Sequence, residues 1–192
     1  TLGPGKYEVV YGFLDGACDS FRDTNYITIY PLPSVTFDPV DPVCVNDATF
    51  SLVPFASPAG GTFSGVGVTG GNQFDPDDAG VGSHTVTYTY TDGKGCENSD
   101  DVLITVNGLP TVSFSGLDND YCNNAGTDLL TGNHAPDGSW TGTGITDNSN
   151  GTASYDPSVP TPANGYTITY TYTDGNGCTN QFSDQTDILP LP

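Results

Sequence analysis

The sequence predicts an all-β chain, a tandem array of antiparallel β-sandwiches, on three observations. The first is a run of strict alternation, His84-Thr85-Val86-Thr87-Tyr88-Thr89-Tyr90-Thr91, which breaks at Asp92-Gly93 and ends at Cys96. Alternation of period two marks a half-buried strand, and Asp-Gly marks a hairpin turn. The second is recurrence. Residues 166–178 repeat the run almost letter for letter, from Tyr166 through Asp174-Gly175 to Cys178, and Tyr7 to Cys18 is a blurred third copy, shorter in its turn. Self-similarity at a period of this size is the signature of a repeat array. The third is composition: with 25 Gly, 15 Pro and no Met, and with Glu8 and Glu97 the only Glu among 23 acidic residues, turn formers dominate and long helices have little support.

Taken in order, residues 1–31 read as two strands joined at Asp15-Gly16, the last third of a repeat. Because Thr1 opens in mid-phrase, the chain is expected to be a piece of something longer, with 1–31 the end of a truncated preceding repeat. Pro31-Leu32-Pro33 marks a boundary that recurs as Leu109-Pro110 and Leu189-Pro190. A proline there cannot donate a ladder hydrogen bond and stiffens the joint. The full repeats are then 32–108 and 109–192. In the first, Ser34 to Phe37 is a short strand with its copy at Thr111 to Phe114. An Asp-rich turn, Cys44 and a strand from Ala48 to Val53 follow. Gly61 to Val68 comes next and is copied at Gly138 to Ile145.

Phe74-Asp75-Pro76 matches Tyr155-Asp156-Pro157, with an insertion near Asn148 to Gly151 in the second repeat, where a loop tip tolerates change. The alternating run is the penultimate strand and Asp101 to Val106 the last. Six or seven short strands per repeat, with turn signals between them, is the sandwich pattern. In the alternating run Val86, Tyr88 and Tyr90 share one face and the threonines the other. The aromatic face is assigned to the core, since Ile168, Tyr170 and Tyr172 take the same places in the next repeat.

Charge narrows the partners. Three Lys and Arg against 23 acids give a net charge of -20, with no basic patch to meet a phosphate backbone or an anionic membrane surface. No nucleic-acid partner is expected. No apolar run reaches membrane-spanning length, so direct membrane insertion is not expected either.

The five cysteines lie at 18, 44, 96, 122 and 178, one near the start of each full repeat and one just after each hairpin turn. The simplest pairing is within repeats, Cys44–Cys96 and Cys122–Cys178, with the partner of Cys18 outside the chain. The alternative clamps across repeat boundaries, Cys18–Cys44 and Cys96–Cys122, leaving Cys178 over. Zinc is disfavoured, since no paired CxxC spacing is present. Disulfides imply an oxidising location, secreted or on a cell surface.

Other residues carry competing readings. Gly65-Val66-Gly67 and Gly142-Thr143-Gly144 lack the third glycine and strand-to-helix context of a nucleotide loop and read as strand bends. No Ser-His-Asp or Cys-His set stands out, and neither histidine recurs in register, so no enzyme is expected. Asp38, Asp41, Asp75, Asp118 and Asp120 stand in turns and at repeat entries. They admit Ca²⁺ as a cofactor that would stiffen the joints, and they equally stand as ordinary turn residues with no cofactor. Trp140 aligns with Phe63, which favours a core place over a sugar-stacking platform.

The composite of Gly-x-Phe/Trp-x-Gly-x-Gly (61–67 and 138–144), Phe/Tyr-Asp-Pro, Tyr-Thr-Asp-Gly-x-Gly-Cys and a Leu-Pro junction resembles the immunoglobulin-like or PKD-like repeats of giant Bacteroidota surface proteins, the adhesin and gliding-associated substrates of type IX secretion. The resemblance covers nearly the whole chain. It implies Ig-like sandwiches in an extended array on the cell exterior, a stalk or filament segment giving reach and mechanical strength. Expected partners are neighbouring repeats of the same chain or fibre, with surface glycans or other cells as further candidates. Two alternatives stay open: a carbohydrate-binding module, and a self-polymerising fibre subunit that uses strand addition.

Overall fold

A computed structural model of the chain describes residues 1–14, 20–161 and 163–191. Strand accounts for 52% of the structure and helix for 4%, which fixes the all-β class. The chain divides into two compact units. The first comprises 1–41, 48–79 and 83–104, and the second 42–47, 80–82 and 105–192.

The hairpin β1 (Gly5–Leu14) and β2 (Ser20–Ile29) opens the chain as a two-stranded antiparallel sheet. Next come β3 (Thr36–Phe37), β4 (Val43–Cys44), β5 (Phe50–Ser51), β6 (Ala56–Ser57), β7 (Thr62–Gly65), β8 (Val68–Thr69), β9 (Gln73–Phe74), β10 (Gly82–Thr91) and β11 (Glu97–Asn107). They form a main sheet in the order β4-β11-β10-β7 and two smaller sheets, β3-β6 and β5-β9-β8. The strands of 109–192 are β12 (Phe114–Ser115), β13 (Asp120–Cys122), β14 (Asp128–Gly132), β15 (Ser139–Thr141), β16 (Ile145–Asp147), β17 (Thr152–Tyr155), β18 (Ala163–Thr173) and β19 (Thr179–Leu189). These make two sheets, β13-β19-β18-β15 and β12-β14-β17-β16. The main sheets of the two repeats share one plan: a long antiparallel hairpin, a short third strand beside its first arm, and a short parallel strand beside the far end of its second.

The alternating run behaves as its pattern requires. Val86 and Tyr88 in β10, like Ile168 and Tyr170 in β18, are buried, while the final threonines Thr91 and Thr173 are exposed. Tyr90 and Tyr172, farther toward the turn, are half-buried. Around Tyr88 the first unit packs Phe37 and Phe63 at ring distances of 5.5 Å (Phe37 to Phe63) and 4.6 Å (Phe63 to Tyr88). Around Tyr170 the second unit packs Trp140 at 4.7 Å, with Tyr121, Leu130, Tyr155 and Ile188 completing the core. In the β1–β2 hairpin, by contrast, the matching Val9 and Tyr11 are exposed, Tyr11 by 70%.

Two local expectations change. The strand anticipated over Ala48 to Val53 shrinks to Phe50–Ser51 and gives way to a 3-10 turn at Val53–Phe55, because Pro54 has no N–H to offer a ladder. The Asp75 turn opens a single helical turn, α1 (Pro76–Ala79). Proline is preorganised for that first helical position, and the Asp75 carboxylate accepts the Asp77 N–H at 3.1 Å as a cap.

Candidate functional site

The cysteines and the turns that hold them form the most organised chemical feature of the chain. The β10–β11 and β18–β19 hairpins end in the same clasp. In the second repeat one carboxylate oxygen of Asp174 accepts the N–H groups of Asn176 and Cys178, both at 2.9 Å, and the Asp174 N–H returns to the Cys178 carbonyl at 3.0 Å. In the first, Asp92 accepts the N–H groups of Lys94 at 2.8 Å and Cys96 at 2.9 Å. An Asp carboxylate bonding its own backbone two residues on is the local preference that makes Asp-Gly a turn signal. Each hairpin cysteine is thereby fixed at the start of its last strand.

The entry cysteines are placed at the opposite end. Cys44 in β4 lies beside Asn107, the last residue of β11, and Cys122 in β13 lies beside Leu189, the last residue of β19. Matching backbone bonds hold them, Val45 N–H to the Asn107 carbonyl at 2.9 Å and Asn123 N–H to the Leu189 carbonyl at 3.1 Å. Cys44 has one tie that Cys122 lacks: its N–H donates to the Asp47 carboxylate at 2.7 Å, whereas Ala125 stands at the corresponding place after Cys122.

This placement overturns the within-repeat pairing. Cys96 precedes β11 and Cys44 sits at its far end, so the 11 residues of β11 separate them. At about 3.4 Å per residue that is roughly 35 Å, against the ~7 Å or less between Cα atoms that a disulfide spans. β19 separates Cys122 from Cys178 in the same way, again by 11 residues. The bond that forms is Cys44–Cys178, with Cα atoms 5.6 Å apart and 134 residues of sequence between them, and both partners lie in the second unit. Neither Cys44–Cys96, Cys122–Cys178 nor Cys18–Cys44 is made. Cys96 and Cys122 are free thiols, the first half-buried and the second exposed, whereas Cys44 and Cys178 are buried. Cys18 lies outside the described residues. Sequence spacing put one cysteine near the start of each full repeat and one just after each hairpin turn. It gave no sign of which ends meet.

The five aspartates considered for Ca²⁺ stand in separate local settings. Asp38 donates its N–H to the Phe55 carbonyl at 2.7 Å, and Asp75 caps α1 while accepting the Thr49 hydroxyl at 3.1 Å. The Asp118 N–H donates to the Tyr121 hydroxyl at 3.0 Å, and Asp41 and Asp120 are exposed. Among the described residues no three His, Cys, Asp or Glu side chains gather as a metal site. Trp140 is buried in the core against Phe114 and Tyr170. The Gly65 and Gly142 segments close tight turns. A side chain at Gly67 would lie 2.6 Å from Ala79, and one at Gly144 would lie 2.7 Å from the Asp156 carbonyl. A cleft of about 200 Å³ beside Tyr88, lined by Val53, Ala56, Gly61 and Phe63 among others, is below the usual range for small-molecule sites.

No described protein family and no curated protein sequence matches the chain. Solved structures resemble it at low identity. A Ca²⁺-stabilised adhesin by which an Antarctic bacterium binds ice aligns at a TM-score of 0.43 and 15% identity, over 97% of this chain and 57% of that one. The N-terminal Ig1-2 module of the Drosophila receptor protein tyrosine phosphatase DLAR aligns at 0.29 and 14%, over 84% of this chain and 100% of that one. A Bacteroides ovatus glucan-utilisation protein, SGBP-B, solved with a mixed-linkage heptasaccharide, aligns at 0.27 and 15%, over 98% and 48%. The chain thus spans about half the length of the adhesin and of SGBP-B. Its β-sandwich class rests on its own sheets. No helix among the described residues is long and apolar enough to cross a membrane.

Proposed function

We propose that the chain is a segment of an extracellular stalk or filament in a large surface adhesin, with a mechanical rather than a catalytic task. The observation that carries this reading is the Cys44–Cys178 bond laid over repeated sandwiches. A disulfide persists in an oxidising location. This one also spans most of both repeats, so tension entering at Cys44 leaves at Cys178 without loading residues 45–177. The net charge of -20 favours solubility and keeps neighbouring threads apart. The repeat phrases support placing that adhesin among the Bacteroidota surface proteins exported by type IX secretion, with neighbouring repeats as the immediate partners and any distal ligand carried elsewhere.

Pulling single molecules by their ends tests the reading. The oxidised chain is expected to release roughly 470 Å less contour length than the reduced chain, or than a Cys178→Ser variant, from 134 residues at about 3.5 Å each. Equal lengths with and without reductant would overturn it. Labelling of intact cells with an antibody against residues 109–192 tests the surface location, and a signal seen only after lysis would remove it.

A further inference from the structure

Among the described residues one disulfide forms, and its placement supplies a rule for the other cysteines. It joins the entry-strand cysteine of one repeat to the hairpin-turn cysteine of the next. Applied along the chain, the rule gives Cys122 the hairpin-turn cysteine of a following repeat and Cys96 the entry cysteine of a preceding one. Each thiol left free is therefore the structural equivalent of a bonded one. Cys122 occupies the strand position of Cys44, with the same ladder bond and the same turn bond, Ala125 N–H to the Cys122 carbonyl at 2.9 Å matching Asp47 N–H to the Cys44 carbonyl at 3.0 Å. Cys96 has the same Asp clasp as Cys178. The bonded copies are shielded from water, Cys178 completely, while their unbonded equivalents are not.

We propose that Cys122 is an open half-link that takes, as a disulfide, the hairpin-turn cysteine of a further repeat of this build placed after the second. Cys96 is the complementary half. The reading rests on the chain belonging to an array. Closing such a link removes two protons and two electrons from two thiols. A disulfide-bearing oxidant accepts them: one thiolate attacks it to give a mixed disulfide and releases one oxidant thiol, and the partner thiolate then displaces the second. Successive links overlap in sequence, since a link that starts at Cys122 begins inside the loop closed by Cys44–Cys178.

The test lengthens the chain at Pro190 with a second copy of residues 111–192, which reproduces the Leu-Pro junction. A Thr179→Ser change in the added copy marks its cysteine peptide by mass, and a Cys122→Ser change in that same copy leaves the original Cys122 as the one cysteine at that place. The protein is oxidised with oxidised glutathione, free thiols are alkylated, and disulfide-linked peptides are mapped without reduction. Cys122 is expected on the marked Cys178 peptide, with the original Cys178 still on Cys44 and Cys96 alkylated. A Cys122→Ser change in the original copy as well should leave the marked Cys178 alkylated. Cys122 found alkylated, or bonded to the Cys178 of its own repeat, overturns the proposal. The Cys44–Cys178 peptide in the same map shows that the protein has folded. An idle Cys122 alongside it refutes the link while leaving the force measurement on the unlengthened chain untouched.

Discussion

Tyr170 and Tyr155 lie in one core and differ in what their hydroxyls meet. The Tyr170 hydroxyl donates to the Asp137 carbonyl at 2.6 Å, whereas the buried Tyr155 hydroxyl has no hydrogen-bond partner among the described residues. Removing a satisfied hydroxyl strands its acceptor, and removing an unsatisfied one relieves a desolvated group. Tyr170→Phe is therefore expected to cost about 1 kcal/mol in urea unfolding, and Tyr155→Phe to leave stability unchanged or raise it by up to about 1 kcal/mol. A larger loss at Tyr155 than at Tyr170 would refute this account. Tyr121 adds a pH dependence. Burial first, and then its bond to Asp128 and the negative charges of Asp128 and Asp118, outweigh the Asp118 N–H and push its phenol from 10.0 to about 12. Burial raises Tyr155 and Tyr170 as well. The folded chain keeps these protons where the unfolded chain releases them, so stability is fully present below pH 10 and falls as pH rises toward 12. Unfolding curves across that interval, followed with phenolate absorbance, read it directly. The core tyrosines were legible in the sequence because period two assigns a face. Their hydroxyl partners were not, because Asp137 is 33 residues from Tyr170 and belongs to a loop with no pattern of its own.

The long hairpin depends on glycine where the loop crosses its tyrosine. A side chain at Gly138 would come within 2.4 Å of the Tyr170 hydroxyl, and its φ of +93° is itself unfavourable for other residues. Gly61 meets Tyr88 in the same way, at 2.5 Å from the ring. Gly138→Ala is expected to cost about 2–4 kcal/mol by overpacking and backbone strain, measurable by chemical denaturation, and a loss below about 1 kcal/mol would show that the loop yields. The cysteine clasp was half legible at this scale. Asp-Gly announced the turn, and alternation announced the strand after which each hairpin cysteine falls. The parallel pairing of β4 with the end of β11 was invisible, since Val43-Cys44 is too short to carry a period. That pairing moves the entry cysteine a strand's length from its presumed partner.

At the scale of the molecule, acidity and crosslinking act together. Five aspartates in turns and at repeat entries invite calcium, and among the described residues no three His, Cys, Asp or Glu side chains gather as a site for it. A calcium titration decides it: a rise in Tm that EDTA reverses would establish the ion, and an unchanged Tm would remove it. The Cys44–Cys178 loop of 134 residues constrains the unfolded chain by about 5 kcal/mol in the chain-entropy picture. The same bond also changes what a protease can achieve. Exposed loop tips are preferred sites of cleavage, and Asn148 to Asn150 form such a tip in the second repeat. A single cut there, or anywhere from 45 to 177, yields two fragments still held by sulfur. Limited digestion should therefore give a full-sized species on a gel without reductant and two pieces with it, and separation without reductant would refute this. A thread built this way can be nicked without being shed, so its attachment to whatever it joins outlasts the continuity of its backbone.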